Sequence, residues 1–297
     1  MTHSSPLPPL RLHLQRLANS LNVQAAHSAD TGLSKPQYTE YQLSAWMSPS
    51  VAEALKRLCA LETAGDTSDT SCEYLVVIHV VPCGEGVTTT VHASLLPVPS
   101  GMPPPVAVAV ASQRRPEPFD AKSSAWVEQR QALSALCPSD CGEVITTMPV
   151  PLDGAADQAS CAPLVEGLVN NLFVIGTRGS GGDAPCVVYT ASVAEGALPG
   201  IIRIAVLAAC RELGYRIVEA APVPPPERAD GEGEVWTEAF LCNAVRLIQP
   251  VRHMRWLPPC TRPGLDFTDA PGRCTREIAA RVMRDMTAEA SLSPPFT

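Results

Sequence analysis

The chain has 297 residues, of which 45% are apolar and 18% charged, with 30 prolines and a net charge of −8. That length supports one large or two ordinary domains, and the apolar fraction with a mean hydropathy of +0.07 excludes global disorder. The negative balance excludes a nucleic-acid binder working through a basic surface, and no stretch approaches the roughly 18 uncharged apolar residues of a membrane span.

Leu10, Leu14, Leu17 and Leu21 recur at helical spacing, so residues 10–21 read as an amphipathic helix. Ser48-Pro49 offers an N-cap and first turn for a second helix carrying Val51, Leu55, Leu58 and Leu61. Tyr74–Val81 and Val87–Leu96 are β-rich runs joined by a Pro82–Gly86 turn, a hairpin. Val106–Ala111 is a further strand. The polar, proline-bearing stretch 112–121 is the expected domain boundary. Beyond it the pattern predicts a helix over Ser124–Leu136, strands at Glu143–Val150, Leu164–Glu166, Leu172–Ile175 and Cys186–Tyr189, and a helix over Ile201–Leu213 closed by Gly214. Arg216–Glu219 is a short strand, Pro222–Pro226 a surface turn, Ala239–Val251 a β-like run, and Arg273–Thr287 a closing helix with Ile278, Val282 and Met286 inward. A frayed tail follows at Ser291–Thr297. Alternating strands and helices give an α/β or α+β class.

Glycine-rich RGSGGD at 178–183 lacks the Lys-Ser/Thr ending and the following helix of a phosphate loop, and reads as a hairpin tip. The eleven cysteines include no CxxC pair, and Cys137 and Cys141 have no histidine nearby. They read as thiols in a reducing compartment, with no metal site. No acidic residue precedes Asp30, while Arg11 and Arg16 do, a pattern shared with organellar transit peptides.

Four segments, HLQRLANS (13–20), EGLVNNLFVI (166–175), LPGIIR (198–203) and EAFLCNAVRLIQPV (238–251), carry a specific likeness. In order and spacing the chain resembles the class IV aminotransferases, pyridoxal-phosphate enzymes of fold type IV. These include branched-chain and D-amino acid aminotransferases and aminodeoxychorismate lyase. The family shows H-x-x-R-L-x-x-S, E-G-x-x-x-N-L-F, L-P-G-I-T-R and F-L-[TS]-[NG]-[ST]-x-R-x-[IV]-x-P-V. AKSSAWVEQR (121–130) is similar to a stretch of an aminotransferase-like subgroup.

The resemblance implies that Lys122 is the Schiff-base lysine, 44 residues before Glu166. An uncharged amine is needed there, and desolvation lowers a lysine's pKa. Glu166 is expected to face the pyridine nitrogen and keep the ring protonated. Gly200, Ile201 and Ile202 open a helix whose N–H groups and dipole suit the phosphate, and Arg16 adds a fork of donors from the first domain. Asn243 and Ala244 belong to the fourth segment, where Arg246 also matches. Ile202 stands where the family commonly has Thr, and Ala244 where it has Ser or Thr; each lost hydroxyl costs on the order of 1 kcal/mol. Trp126 is expected to pack its helix on the sheet, and Arg130 to be a paired helix-face charge.

The expectation is a two-domain fold of type IV, with a small α+β domain over residues 1–111 and a larger α/β cofactor domain over 119–297. Relatives have several tens of residues before the first motif, whereas His13 here follows only twelve, so an abbreviated first domain or an incomplete sequence is expected. The activity implied is transamination between an amino acid and a 2-oxo acid in a cytoplasmic homodimer, with no nucleic acid or membrane as partner. A lyase of the aminodeoxychorismate type, in which Leu247 replaces a glycine of that branch, and a non-catalytic scaffold are the rival readings.

Overall fold

The computed structural model describes residues 10–27, 37–62, 72–83, 86–97, 101–115, 121–149, 162–178, 186–225 and 234–292. The chain divides into two compact units, one of residues 1–101 with 286–297 and one of residues 102–285.

In the first unit α1 (Leu10–His27) and α2 (Glu40–Glu62) accompany a hairpin of β1 (Cys72–Cys83) and β2 (Gly86–Pro97). The hairpin is antiparallel with Cys72 opposite Pro97 and Cys83 opposite Gly86; its two tip residues lie outside the described ones. Leu14, Ala18 and Leu21 of α1 bury against Leu43 and Met47 of α2, and Ile78, Val80 and Val87 pack on that core. The predicted start of the second helix at Ser48-Pro49 is wrong. Pro49 lies inside α2, and the Ser48 hydroxyl donates to the Ser44 carbonyl at 2.7 Å. The helix begins instead at a capping box: the Thr39 hydroxyl accepts from Gln42 N–H, and the Gln42 side chain accepts from Thr39 N–H at 3.0 Å.

The second unit is built on a closed ring of strands. β3 (Val106–Ala111), β4 (Glu143–Thr147), β5 (Leu164–Gly167), β6 (Asn171–Arg178), β9 (Glu234–Asn243) and β10 (Leu247–Trp256) pair in that order, and β10 returns to β3. β6 and β10 close it by pairing on both edges: β6 meets β9 on one side and β5 then β7 (Cys186–Thr190) on the other. β8 (Arg216–Glu219) and β11 (Leu265–Asp266) extend the sheet at its ends. Val108 and Val110, Leu172 and Val174, and Ala239 and Leu241 alternate into one core with Met254 and Trp256. Ala109, Ala111 and Val144 face a second core with Trp126 and Leu133. β3 is therefore apolar at every position because both of its faces are covered.

This pairing corrects two expectations. Val106–Ala111 belongs to the ring and not to a first domain ending at 111, and the unit boundary lies at Gly101 rather than within 112–121. The described part of that supposed linker runs against β4, where the Gln113 carbonyl accepts from Thr147 N–H at 2.9 Å. The predicted helix at Ser124–Leu136 is two short helices, α3 (Ala125–Gln129) and α4 (Gln131–Ser134), meeting at Arg130. Trp126 and Leu133 are buried, but Val127 and Leu136 are exposed. The Ala239–Val251 run is a β9–β10 hairpin. α5 (Ile201–Glu212) and α6 (Arg273–Leu292) fall where the pattern placed them, with Ile278, Val282 and Met286 buried. RGSGGD after Arg178 and the tail beyond Leu292 lie outside the described residues, but β6 and β7 do pair as antiparallel neighbours.

Candidate active site

Glu166 is the centre of a buried polar cluster in the second unit. Its Oε1 accepts from Arg115 Nη1 at 2.9 Å, and its Oε2 accepts from Leu198 N–H at 2.8 Å and Asn171 Nδ2 at 3.1 Å. A carboxylate offers about four acceptor positions, so among the described residues one on Oε1 is left for a further donor. Burial pushes the Glu166 carboxyl above its ordinary value, opposed by the Arg115 charge and the Leu198 N–H.

The turn after Glu166 is built on a second buried carboxylate. Glu143 accepts from Val144 N–H at 2.9 Å, from Leu168 N–H at 3.2 Å and from the Asn170 side chain. Burial raises this carboxyl too, against those donors. Gly167 is required here, since a Cβ would stand 2.9 Å from the Glu143 carboxyl carbon.

The AKSSAWVEQR segment docks on that same turn. Trp126 Nε1 donates to the Leu168 carbonyl at 2.8 Å, and Arg130 Nη1 reaches the same oxygen at 3.5 Å. Residues four apart share a helix face, which explains the Trp-x-x-x-Arg spacing. Trp126 packs as expected and also holds a hydrogen bond; Arg130 binds a carbonyl rather than a carboxylate. Upstream, Arg115 Nη2 donates to the Ala121 carbonyl at 3.0 Å, and its guanidinium lies 5.1 Å from the centre of the Trp126 ring. Arg115 therefore links the residue before Lys122 to Glu166. Lys122 itself is exposed; the desolvation expected to neutralise its amine is not found in the single chain.

At the other end of the cluster Pro199-Gly200 leads into α5. Gly200 has no side-chain cap to offer, and the first intrahelical bond is Ile204 N–H to the Gly200 carbonyl at 3.1 Å. The N–H groups of Ile201 and Ile202, both buried, thus precede the helical ladder. A Cβ on Gly200 would lie 2.1 Å from Asn171 Oδ1. Arg203, in the same first turn, donates to the Ala191 carbonyl at 2.8 Å and leaves Nε buried with no partner among the described residues.

β9 pairs Cys242 with Asn171, so the next two residues, Asn243 and Ala244, follow directly from the cluster's edge. Asn243 Oδ1 accepts from Val245 and Arg246 N–H, each at 2.8 Å, and Nδ2 donates to Asn170 at 2.6 Å. Asn243 thus shapes the turn. Ala244 and Arg246 are exposed on it. Leu247 has φ of 55°, the left-handed region that favours glycine. A glycine at this position would serve the turn's backbone rather than chemistry.

Arg16 lies on α1 in the first unit, half-buried, with its pKa lowered by burial. Within the second unit, Glu166 is bonded to Leu198 N–H and Asn171, Gly200 packs against Asn171 at the start of α5, Arg115 ties Glu166 to the Ala121 carbonyl beside the exposed Lys122, and Asn243 and Ala244 lie on the adjoining hairpin. Arg115 was missed because its neighbours are polar and prolines follow. Of the chain's three lysines, Lys35, Lys56 and Lys122, the last alone falls within residues 102–285.

The family model for amino-transferase class IV matches residues 4–254. The chain belongs to the class IV aminotransferases. A comparison with curated proteins gave no match. Among solved structures, the branched-chain aminotransferase from the archaeon Thermoproteus uzoniensis with norvaline is 21% identical with a TM-score of 0.53, covering 97% of this chain and 82% of that one. An aminotransferase from Brucella abortus bound to the cofactor PLP is 18% identical (TM-score 0.54, 96% and 85% covered). A hypothetical aminotransferase from Mycobacterium tuberculosis, in PLP-bound form, is 16% identical (0.51, 93% and 84%). These likenesses agree with the closed six-stranded ring of the second unit.

The residues fit such a cofactor. An anionic phosphate suits the uncapped, buried amides of Ile201 and Ile202 beside a glycine that has no room for a side chain, and a buried carboxylate with a spare acceptor suits a ring nitrogen. No described helix is long and apolar enough to cross a membrane.

Proposed function

We propose that this class IV enzyme holds pyridoxal phosphate as a Schiff base on Lys122 and transfers an amino group between an amino acid and a 2-oxo acid. The observation that carries the reading is the Arg115 bridge, which joins the Ala121 carbonyl to Glu166 Oε1. It ties the backbone beside the second unit's lysine to the carboxylate that would face the ring. Bound cofactor supplies an electron sink for the substrate's Cα.

The chain's own groups divide the rest of the work. Ile201 and Ile202 N–H would hold the phosphate, and the family resemblance adds Arg16 as a further donor. Glu166 would stand against the ring nitrogen as its acceptor. Lys122 Nζ would take the proton from the substrate's Cα. Lysine can do so only when neutral, so its exposed position calls for cover in the working enzyme. A homodimer, which the family uses, is the assembly we infer, and a reducing cytoplasmic setting suits the thiol-rich chain.

The test is borohydride reduction of the loaded protein followed by peptide mapping. Label on Lys122, lost in Lys122→Ala, is the expected result; label on Lys35 or Lys56 overturns the assignment. A lyase of the aminodeoxychorismate type is the second reading: the CNAVRLIQPV run resembles that branch, with Leu247 in the left-handed region where the branch has a glycine. Pyruvate released from aminodeoxychorismate without an acceptor acid would identify it.

A further inference from the structure

A pair of thiols lies outside this cluster. Cys186 begins β7 and Cys274 sits in the first turn of α6, 88 positions apart, with their sulfurs 3.2 Å from each other. We propose that Cys186 and Cys274 are a redox-modification site, closing to a reversible disulfide that ties the start of α6 to β7.

Both backbones are anchored at the contact. Cys274 N–H donates to Glu238 Oε1 at 3.0 Å and Thr275 N–H to Glu238 Oε2 at 2.7 Å, so a β9 carboxylate caps α6. Cys186 is paired with Thr177 of β6, and the following Val187 with Arg216 of β8. A disulfide bond is about 2.05 Å long, so closure requires the sulfurs to approach by roughly 1 Å, within reach of side-chain rotation. A shared metal ion fits less well. Two thiolates on one tetrahedral zinc, at Zn–S of about 2.3 Å, stand about 3.8 Å apart.

The two thiols differ in the way a stepwise oxidation needs. Cys186 is half-buried and Cys274 is 2% exposed. Burial, with Cys186 and Glu238 adding to it, pushes the Cys274 thiol up to about 12, while the Tyr215 hydroxyl against it works the other way. Cys186 therefore meets a hydroperoxide first. Its thiolate attacks the O–O bond, takes one oxygen as a sulfenic acid and releases the other as hydroxide, which becomes water. The Cys274 sulfur then attacks the Cys186 sulfur. The S–O bond breaks, and the departing hydroxide leaves as water with the Cys274 proton. Two thiols have lost two electrons to the peroxide, which ends as two waters, and a dithiol reductant reverses the change.

The experiment is brief exposure of the holoenzyme to hydrogen peroxide, alkylation of remaining thiols, and non-reducing peptide mapping. The expected result is a Cys186 peptide joined to a Cys274 peptide, two hydrogens lighter than the separate pair. A rise in Tm of several degrees should accompany it, because the link closes a long loop of the unfolded chain, and dithiothreitol should reverse both. Cys186→Ser, a change at a half-buried strand end, should lose the joined peptide and the Tm rise. Cys274→Ala should do the same. Cys186 recovered as sulfenic or sulfinic acid with Cys274 still alkylated would overturn the proposal, as would a Tm rise that survives in Cys186→Ser.

Discussion

Arg115→Met tests the buried ion pair on which the candidate site is organised. Arg115 and Glu166 are each 5% exposed at the side chain and lie 2.9 Å apart. Methionine keeps much of the arginine's length but leaves Glu166 an uncompensated buried charge. Breaking such a pair costs about 3–5 kcal/mol, or roughly 6–20 °C in Tm for a unit of this size. The cost should depend on pH with a defined sign. Burial already raises the Glu166 carboxyl, and the Arg115 charge opposes that rise, so the variant's carboxyl rises further. A group whose folded pKa is raised binds its proton more tightly in the native state. Its contribution is present below the unfolded value of about 4.3 and is lost as pH climbs through the folded one. The gap between wild type and Arg115→Met should therefore be widest at pH 8 and shrink toward pH 5. Urea denaturation of the cofactor-free protein, followed by tryptophan fluorescence at pH 5, 6.5 and 8, reads this directly. Arg115→Met with Glu166→Gln should recover part of the loss, since the amide removes the buried charge while its oxygen can still accept from Leu198 N–H or Asn171. A gap of equal size at all three pH values would refute the reasoning, and so would a double variant no more stable than the single one.

Two further substitutions probe the phosphate end. In Gly200→Ala the new Cβ would stand 2.1 Å from Asn171 Oδ1. Asn171 must move off Glu166 and the Leu198 carbonyl, with a loss of about 1–3 kcal/mol in denaturation; combining it with Asn171→Ala should relieve the clash and leave little added cost. Arg16→Ala should weaken pyridoxal phosphate binding roughly ten- to a hundredfold, the worth of a charge-assisted contact of about 1.5–3 kcal/mol. Fluorescence titration with the cofactor checks this, and unchanged affinity would remove α1 from the site.

Much of the architecture was legible in the residues because local pattern and burial coincide. VAVAVA reads as a strand, and the stripe of Ile278, Val282 and Met286 as one side of a helix. Other boundaries failed where local signals compete. Ser48-Pro49 is a good helix start, but Thr39-x-x-Gln42 is an equally good one earlier, and the apolar stripe from Leu43 through Met47 to Val51 carries the helix through the proline. The apolar pattern over 124–136 gave no sign that Arg130 would stand between two short helices, with both Trp126 and Arg130 reaching the Leu168 carbonyl.

Sequence alone determined the family and the residues to examine, since motif spacing survives in the chain whatever the packing. It also put Glu166, Gly200 and Ile201 forward as one candidate site. It could not determine that β3 joins the larger unit, because its partners come from strands distant in the chain, Val144 opposite Ala109 and Val251 opposite Val106. Nor could it show that Arg115, in a stretch that reads as a linker, would be buried. A polar residue is buried only when its hydrogen bonds are made. The acceptors for Arg115, the Ala121 carbonyl and Glu166 Oε1, come together with it only when the ring of strands closes.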